Sequence, residues 1–235
     1  LSATPFAGLA VRDAALARGG RRLFTRLCFD LAPGDLLLLH GPNGSGKSSL
    51  LRALLGLAPL LEGSVTLDGH PLPPRELCLH ALYQGHAGAA KAELTAIENL
   101  ELAAALDGTL AGGSAGCADA LAAVGLERQR TVETRRLSQG QKQRLQLARF
   151  ELALADAVEP RPLWLMDEPS AALDTDGTAL LGRLLARQLA RGGTAIVATH
   201  LAIAPAGVPA RALRIDDFRP RRAAPPEPVL AAAPR

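Results

Sequence analysis

The residues with the clearest chemistry are Gly41-Pro42-Asn43-Gly44-Ser45-Gly46-Lys47-Ser48, preceded by the apolar run 36–39 and followed by Ser49-Leu50-Leu51-Arg52. A strand, a glycine-rich loop ending in Gly-Lys-Ser and then a helix have the full G-x-x-x-x-G-K-[ST] spacing of a phosphate-binding loop. Gly41, Gly44 and Gly46 can take backbone conformations closed to residues with side chains, so successive N–H groups turn inward around a phosphate. The helix opening at Lys47 adds unsatisfied N–H donors and the positive end of its dipole. Lys47 reaches the outer phosphates as a point charge, and the Ser48 hydroxyl is a ligand for magnesium. Lysine is scarce here, at positions 47, 91 and 142 only. One of the three stands where a compact ammonium is needed in place of a guanidinium fork.

A second constellation is Leu163-Trp164-Leu165-Met166-Asp167-Glu168-Pro169, four apolar residues followed by two acids. Beside a phosphate loop, Asp167 at a strand end suits the second magnesium contact. Glu168, one residue on, points differently and can polarise a water for attack on the γ-phosphate. Between the two lies Leu137-Ser138-Gln139-Gly140-Gln141, leading into a helix. Ser138 is a good helix cap and Gly140 allows close backbone approach, which makes this a second helix start able to face a phosphate.

In this order the motifs resemble those of the nucleotide-binding subunit of an ATP-binding-cassette (ABC) transporter, over about residues 6–217. The Leu-Ser-Gln-Gly-Gln run is similar to that family's L-S-G-G-Q signature, with Gln139 where glycine is usual. The resemblance implies an α/β fold: a P-loop NTPase, RecA-like core with a small antiparallel β subdomain and an inserted helical signature subdomain. It implies ATP and Mg2+ as cofactors, Asp167 as the magnesium-linked acid and Glu168 as the catalytic base. Ala171-Ala172-Leu173-Asp174 matches the D-loop that crosses a dimer, and His200 matches the switch histidine near the γ-phosphate. Two copies would face head to tail, with Ser138, Gly140 and Gln141 of one closing the ATP site of the other. Two departures stand out. Arg18 occupies the place where many members stack an aromatic ring on adenine. The glutamine that senses the metal and the membrane partner falls on Ala87 when counted back from Leu94-Thr95-Ala96-Ile97-Glu98-Asn99. Either Gln84 substitutes through a shifted loop or that sensor is absent.

A narrower resemblance comes from Tyr83-Gln84-Gly85-His86-Ala87-Gly88-Ala89-Ala90-Lys91 followed by Glu93-Leu94-Thr95-Ala96-Ile97-Glu98-Asn99-Leu100. This is similar to the G-H-x-x-x-x-K-x-x-L-T-x-x-E-N-L pattern of the haem-exporter ATPases of cytochrome c maturation, the CcmA type. The resemblance implies a peripheral subunit on the cytoplasmic face of the inner membrane, meeting integral membrane partners through about residues 84–100. His86 then shapes that loop in preference to ligating haem. The rival readings are an exporter of another substrate, a soluble cassette ATPase of iron–sulfur cluster assembly, a non-catalytic regulatory cassette, and a DNA-repair or chromosome-structure ATPase. The last expects a long heptad insertion before Ser138, which the glycine-broken segment here lacks, so no nucleic-acid partner is expected.

The elements that must position these residues follow from the whole chain. Its 235 residues, 48% hydrophobic and 21% charged, suit one large domain, 1–218, with a helical part at about 88–145. Aromatics are only 3%, so the core must be mostly Leu, Ala and Val. The net charge of +3 forms no block of like sign. Cys28, Cys78 and Cys117 are odd in number and widely spaced, and read as reduced, buried small hydrophobes. No run of about 18 apolar residues could span a membrane. The opening Leu1-Ser2-Ala3-Thr4-Pro5-Phe6 carries no signal-peptide pattern, although a chain opening on Leu leaves room for a missing start. Strands are expected at 9–11, 23–31, 36–40, 62–69, 77–83, 163–166 and 194–199. Helices are expected after Lys47 up to Gly56, from a Thr95 cap with Glu98 as its capping-box partner, over 118–124 ended by Gly125, and from Ser138 to about 154. From Arg219 the Pro, Ala and Arg-rich tail reads as disordered.

Overall fold

The computed structural model describes residues 7–73, 75–85, 89–108, 113–155, 162–200 and 209–220. Two strands, β1 (Leu9–Arg18) and β2 (Arg21–Leu31), open it as a hairpin. Gly19 and Gly20 join them with φ of 57° and 75°, the pair of positive values that a two-residue turn needs to match the twist of its strands. β3 (Leu36–His40) and α1 (Lys47–Leu54) flank the glycine loop. β4 (Glu62–Leu67), β5 (His70–Pro71), α2 (Leu77–His80) and β6 (Ala81–Gln84) follow. Three helices come next: α3 (Ala96–Asp107), α4 (Gly113–Ala123) and α5 (Gln139–Ala155). The chain then returns to strands with β7 (Leu163–Asp167), α6 (Thr175–Ala190), β8 (Thr194–Ala198) and β9 (Ala210–Arg214).

The strands form two sheets, an antiparallel one ordered β2-β1-β4-β5 and a parallel one ordered β6-β7-β8-β3-β9. Runs such as Leu-Leu-Leu-Leu and Leu-Trp-Leu-Met suit the second because both of its faces are covered. Period-two alternation then sorts the side chains. Leu36, Leu38, Trp164, Met166, Ala195 and Val197 pack into one core with α3, α4, α5 and α6. Leu37, Leu39, Leu163, Leu165, Ile196 and Ala198 pack into a second, with α1 and the antiparallel sheet. Phe150 of α5 meets Trp164 of β7 edge to face, ring centroids 4.8 Å apart. Both rings are fully buried, and truncating either would cost about 3–5 kcal/mol. Next to Phe150, Arg149 forks onto Asp107 at 2.8 and 3.1 Å and donates to the Tyr83 carbonyl at 3.4 Å, tying α3 and α5 to β6.

Four expectations need correction. The first four residues of the expected strand 77–83 form α2, and β6 starts only at Ala81. Its partner β7 begins at Leu163, opposite Ala81, directly after Pro162, which has no N–H to extend the ladder. α4 starts at Gly113, five residues earlier than expected, so Gly113 and Ser114 belong to its first turn instead of separating helices. β1 runs on to Arg18, accommodating register shifts between Val11 and Ala17. Cys28 is exposed, Cys78 half-buried and only Cys117 buried, and none of the three forms a disulfide among the described residues. Cys28 shares the outward face of edge strand β2 with Arg26 and Asp30, which alternate with buried Leu27, Phe29 and Leu31.

The Thr95 capping box forms as expected: Thr95 Oγ1 accepts from the Glu98 N–H and Glu98 Oε2 accepts from the Thr95 N–H. No helix among the described residues is long and apolar enough to cross a membrane. His86 and Ala87 lie outside the described residues, as does the tail beyond Pro220. Arg219, at the expected start of that tail, is paired with Asp216 at 2.7 Å.

Candidate functional site

Four of the parallel strands bring chemistry to the same edge of the sheet. β6 ends in Gln84, β7 in Asp167 and Glu168, β8 leads to His200, and β3 leads to the glycine loop. Their order is β6-β7-β8-β3, and the carboxyl end of an open parallel sheet is where ligands bind.

The loop is built around its glycines. Gly46 caps α1 with φ of 114°, and a Cβ there would lie 3.2 Å from the Phe24 ring and 3.3 Å from Leu23. This close approach seats the helix start on β2. Lys47, only 6% exposed, donates from Nζ to the Gly41 carbonyl at 2.7 Å and reaches the Pro42 carbonyl at 3.5 Å. Its ammonium therefore crosses the mouth of the loop. A cavity of about 360 Å³ opens there, lined by Arg18, Leu23, Glu168 and the loop residues Pro42, Asn43, Gly44, Ser45, Gly46, Lys47, Ser48 and Ser49. A neighbouring cavity shares Leu23, Gly44 and Ser45 and adds Arg21, Arg22 and Arg219, so the rim is basic. Backbone donors, an ammonium and a guanidinium rim are suited to a polyanion.

Glu168 faces this cavity from β7. Its backbone has φ of 52° and its N–H donates to the Ala198 carbonyl at 2.8 Å. The carboxylate is held from both sides: Oε1 lies 3.6 Å from Lys47 Nζ, and Oε2 lies 2.9 Å from His200 Nδ1. A carboxylate oxygen accepts, so Nδ1 is the donor in this contact. Asp167, one residue back, is 3% exposed. Burial first, and then the Asp167 charge, push the neighbouring Tyr83 phenol above its ordinary pKa, against the opposing pull of Arg52. Gln84 is 2% exposed, and neither its amide oxygen nor its nitrogen has a hydrogen-bond partner among the described residues. A buried amide in that state is costly unless something else engages it.

Ser138, Gly140, Gln141 and Asp174 do not line the cavity. Ser138 Oγ accepts from the Gln141 N–H at 3.2 Å, and Gln141 Oε1 accepts from the Ser138 N–H at 2.9 Å, a reciprocal cap at the start of α5. Gly140 sits where a Cβ would lie 3.0 Å from the Ala172 carbonyl. Asp174 caps α6 by accepting from the Gly177 N–H and pairs with Arg144 at 2.7 Å. Those two contacts, the N–H first, hold its carboxyl below the usual range. Sequence reading missed Gln143, whose Nε2 donates to the Pro169 carbonyl at 2.7 Å. Its signal was its place on α5, one turn after Gly140 and hence on the same face.

The profile of the ABC transporter family matches residues 24–171, and the chain belongs to that family. It is an ATP-binding, ATP-hydrolysing subunit of the ABC class. Within the class it is similar to the cytochrome c biogenesis ATP-binding export protein CcmA of Nitrobacter winogradskyi, at 43% identity over 198 residues, covering 84% of this chain and 92% of that protein. The protein of the same description from Methylococcus capsulatus is 45% identical over 188 residues, covering 79% and 87%. An ABC transporter ATP-binding protein from Pyrococcus furiosus shares the fold, with a TM-score of 0.72 at 20% identity over 91% of this chain and all of that one.

Proposed function

We propose that two copies of this chain close head to tail on two Mg-ATP and that closure and hydrolysis drive integral membrane subunits of the haem exporter of cytochrome c biogenesis. The observation that carries this reading is the complementary division of the motifs. Lys47 and Glu168 line one cavity of a single copy, with His200 against the Glu168 carboxylate, whereas Ser138, Gly140 and Gln141 start a helix outside it. A second copy, turned head to tail, supplies them. Residues 1–218 act as one ATPase domain with a helical part at about 88–145.

The donors fit a magnesium ion: the exposed Ser48 hydroxyl, the Asp167 carboxylate and the buried Gln84 amide, which has no hydrogen-bond partner among the described residues, offer hard oxygen ligands. When bound, the ion neutralises charge on the β- and γ-phosphates. The loop N–H groups and Lys47 hold the phosphates, Glu168 orients the attacking water and takes up its proton, and His200 fixes the direction of that carboxylate. Arg18 stacks on the adenine side.

A membrane partner is supported by the relatives' description as export proteins. The subunit is peripheral, on the cytoplasmic face of the inner membrane, and docks through about residues 84–100. Glu168→Gln tests the catalytic assignment: ATP turnover should fall by about a hundredfold or more while an ATP-bound dimer accumulates. Unchanged turnover contradicts it.

A further inference from the structure

Glu168 has a backbone conformation that a non-glycine residue keeps only when its surroundings impose it. Its N–H is held by the Ala198 carbonyl, and its own carbonyl accepts from the Ala171 N–H at 3.1 Å. The next residue, Pro169, is fixed in φ and presents its carbonyl to Gln143 Nε2 at 2.7 Å. Gln143 belongs neither to the strand nor to the phosphate loop; it lies in α5, the helix that Ser138 caps. Along the same seam, Gly140 leaves room for the Ala172 carbonyl and Arg144 pairs with Asp174. The segment 168–174 is thus stitched to the first two turns of α5, and Gln143 is the stitch beside the carboxylate.

We propose that Gln143 is a positioning residue for Glu168, tying the direction of that carboxylate to the position of the helix that begins at Ser138. The inference rests on the reading in which Ser138 closes the ATP site of a second copy. A helix moves as a rigid element, so engagement of its first turn by the partner's nucleotide is felt at Glu168 of the same chain through this hydrogen bond. Each site then hydrolyses in step with closure of the other.

Three variants separate the donor from the shape of the side chain. Gln143→Glu keeps the size but sets an acceptor against the Pro169 carbonyl, Gln143→Met keeps the length without a donor, and Gln143→Lys restores a donor. Gln143→Glu and Gln143→Met should lower kcat about tenfold to a hundredfold, the effect of a misdirected reacting group, with KM for ATP changed less than about threefold. The coupling predicts a sigmoidal dependence of rate on ATP concentration for wild type and a hyperbolic one for these two variants, and Gln143→Lys should recover most of the rate. Wild-type turnover in the Glu and Met variants, or equal losses in all three, would overturn the proposal. Glu168→Gln run alongside distinguishes the two readings: if it hydrolyses like wild type, the assignment of Glu168 itself fails, whatever Gln143 does.

Discussion

His200 Nδ1 lies 2.9 Å from Glu168 Oε2 although the two residues come from different strands and His200 is largely exposed. The contact joins the end of β8 to the end of β7 and braces the Glu168 carboxylate on the side away from Lys47. His200→Ala should therefore lower kcat by about a hundredfold, the usual scale for losing a group that orients a general base. Fluorescent ATP analogues should still bind within a few-fold of wild type. A parallel loss of binding would place His200 in nucleotide recognition instead.

Lys47 occupies a slot that leaves 6% of it exposed, with its ammonium against two loop carbonyls. A guanidinium is wider, planar and cannot be satisfied by that pair of acceptors. Lys47→Arg should consequently behave like Lys47→Ala, losing both hydrolysis and ATP-dependent dimer closure. Size-exclusion chromatography with ATP in the Glu168→Gln background reads the closure directly. A Lys47→Ala protein that still dimerises on ATP would remove the loop from its organising role.

Asp174 predicts a pH dependence of stability. The Gly177 N–H and Arg144 lower its folded pKa, so the folded state binds a proton at this site less readily than the unfolded chain does. The stabilisation is full above the ordinary carboxylate value of about 4 and is lost as pH falls through the lower folded value. Asp174→Asn keeps an acceptor for the Gly177 N–H but cannot titrate. Urea unfolding between neutral pH and pH 3 should show a shallower acid decline for the variant than for wild type. Parallel curves would assign the acid decline to other carboxylates.

What sequence made legible was local. The glycine loop, the Asp167-Glu168 pair and the position of His200 are each short runs directly after an apolar strand, and the strands fall at 36–40, 163–167 and 194–198. The Thr95 cap was equally visible because both partners sit within four residues. The contacts that sequence could not show are those made by tertiary approach. Gln143 reaches Pro169 across 26 positions and Arg149 reaches Asp107 across 42, and nothing in a glutamine or arginine on a helix names its distant acceptor. α2 falls within an expected strand because the short run Leu77-Cys78-Leu79-His80 carries no decisive period, and the limit set by Pro162 stands just before another strand. Residue type alone favours burial of Cys28, whereas its place on the outward face of an edge strand exposes it.

In the proposed head-to-tail dimer, Ser138 serves the phosphate loop of another copy. Ser138 and Asn43 are both exposed in one copy and lie apart, with only Asn43 at the cavity. Copies carrying Ser138→Cys can be mixed with copies carrying Asn43→Cys, in a Glu168→Gln background with the three native thiols replaced. An ATP-dependent disulfide should then join one copy of each kind into a covalent dimer. No dimer in the mixture, together with an intramolecular cross-link in a chain carrying both cysteines, would contradict the head-to-tail arrangement.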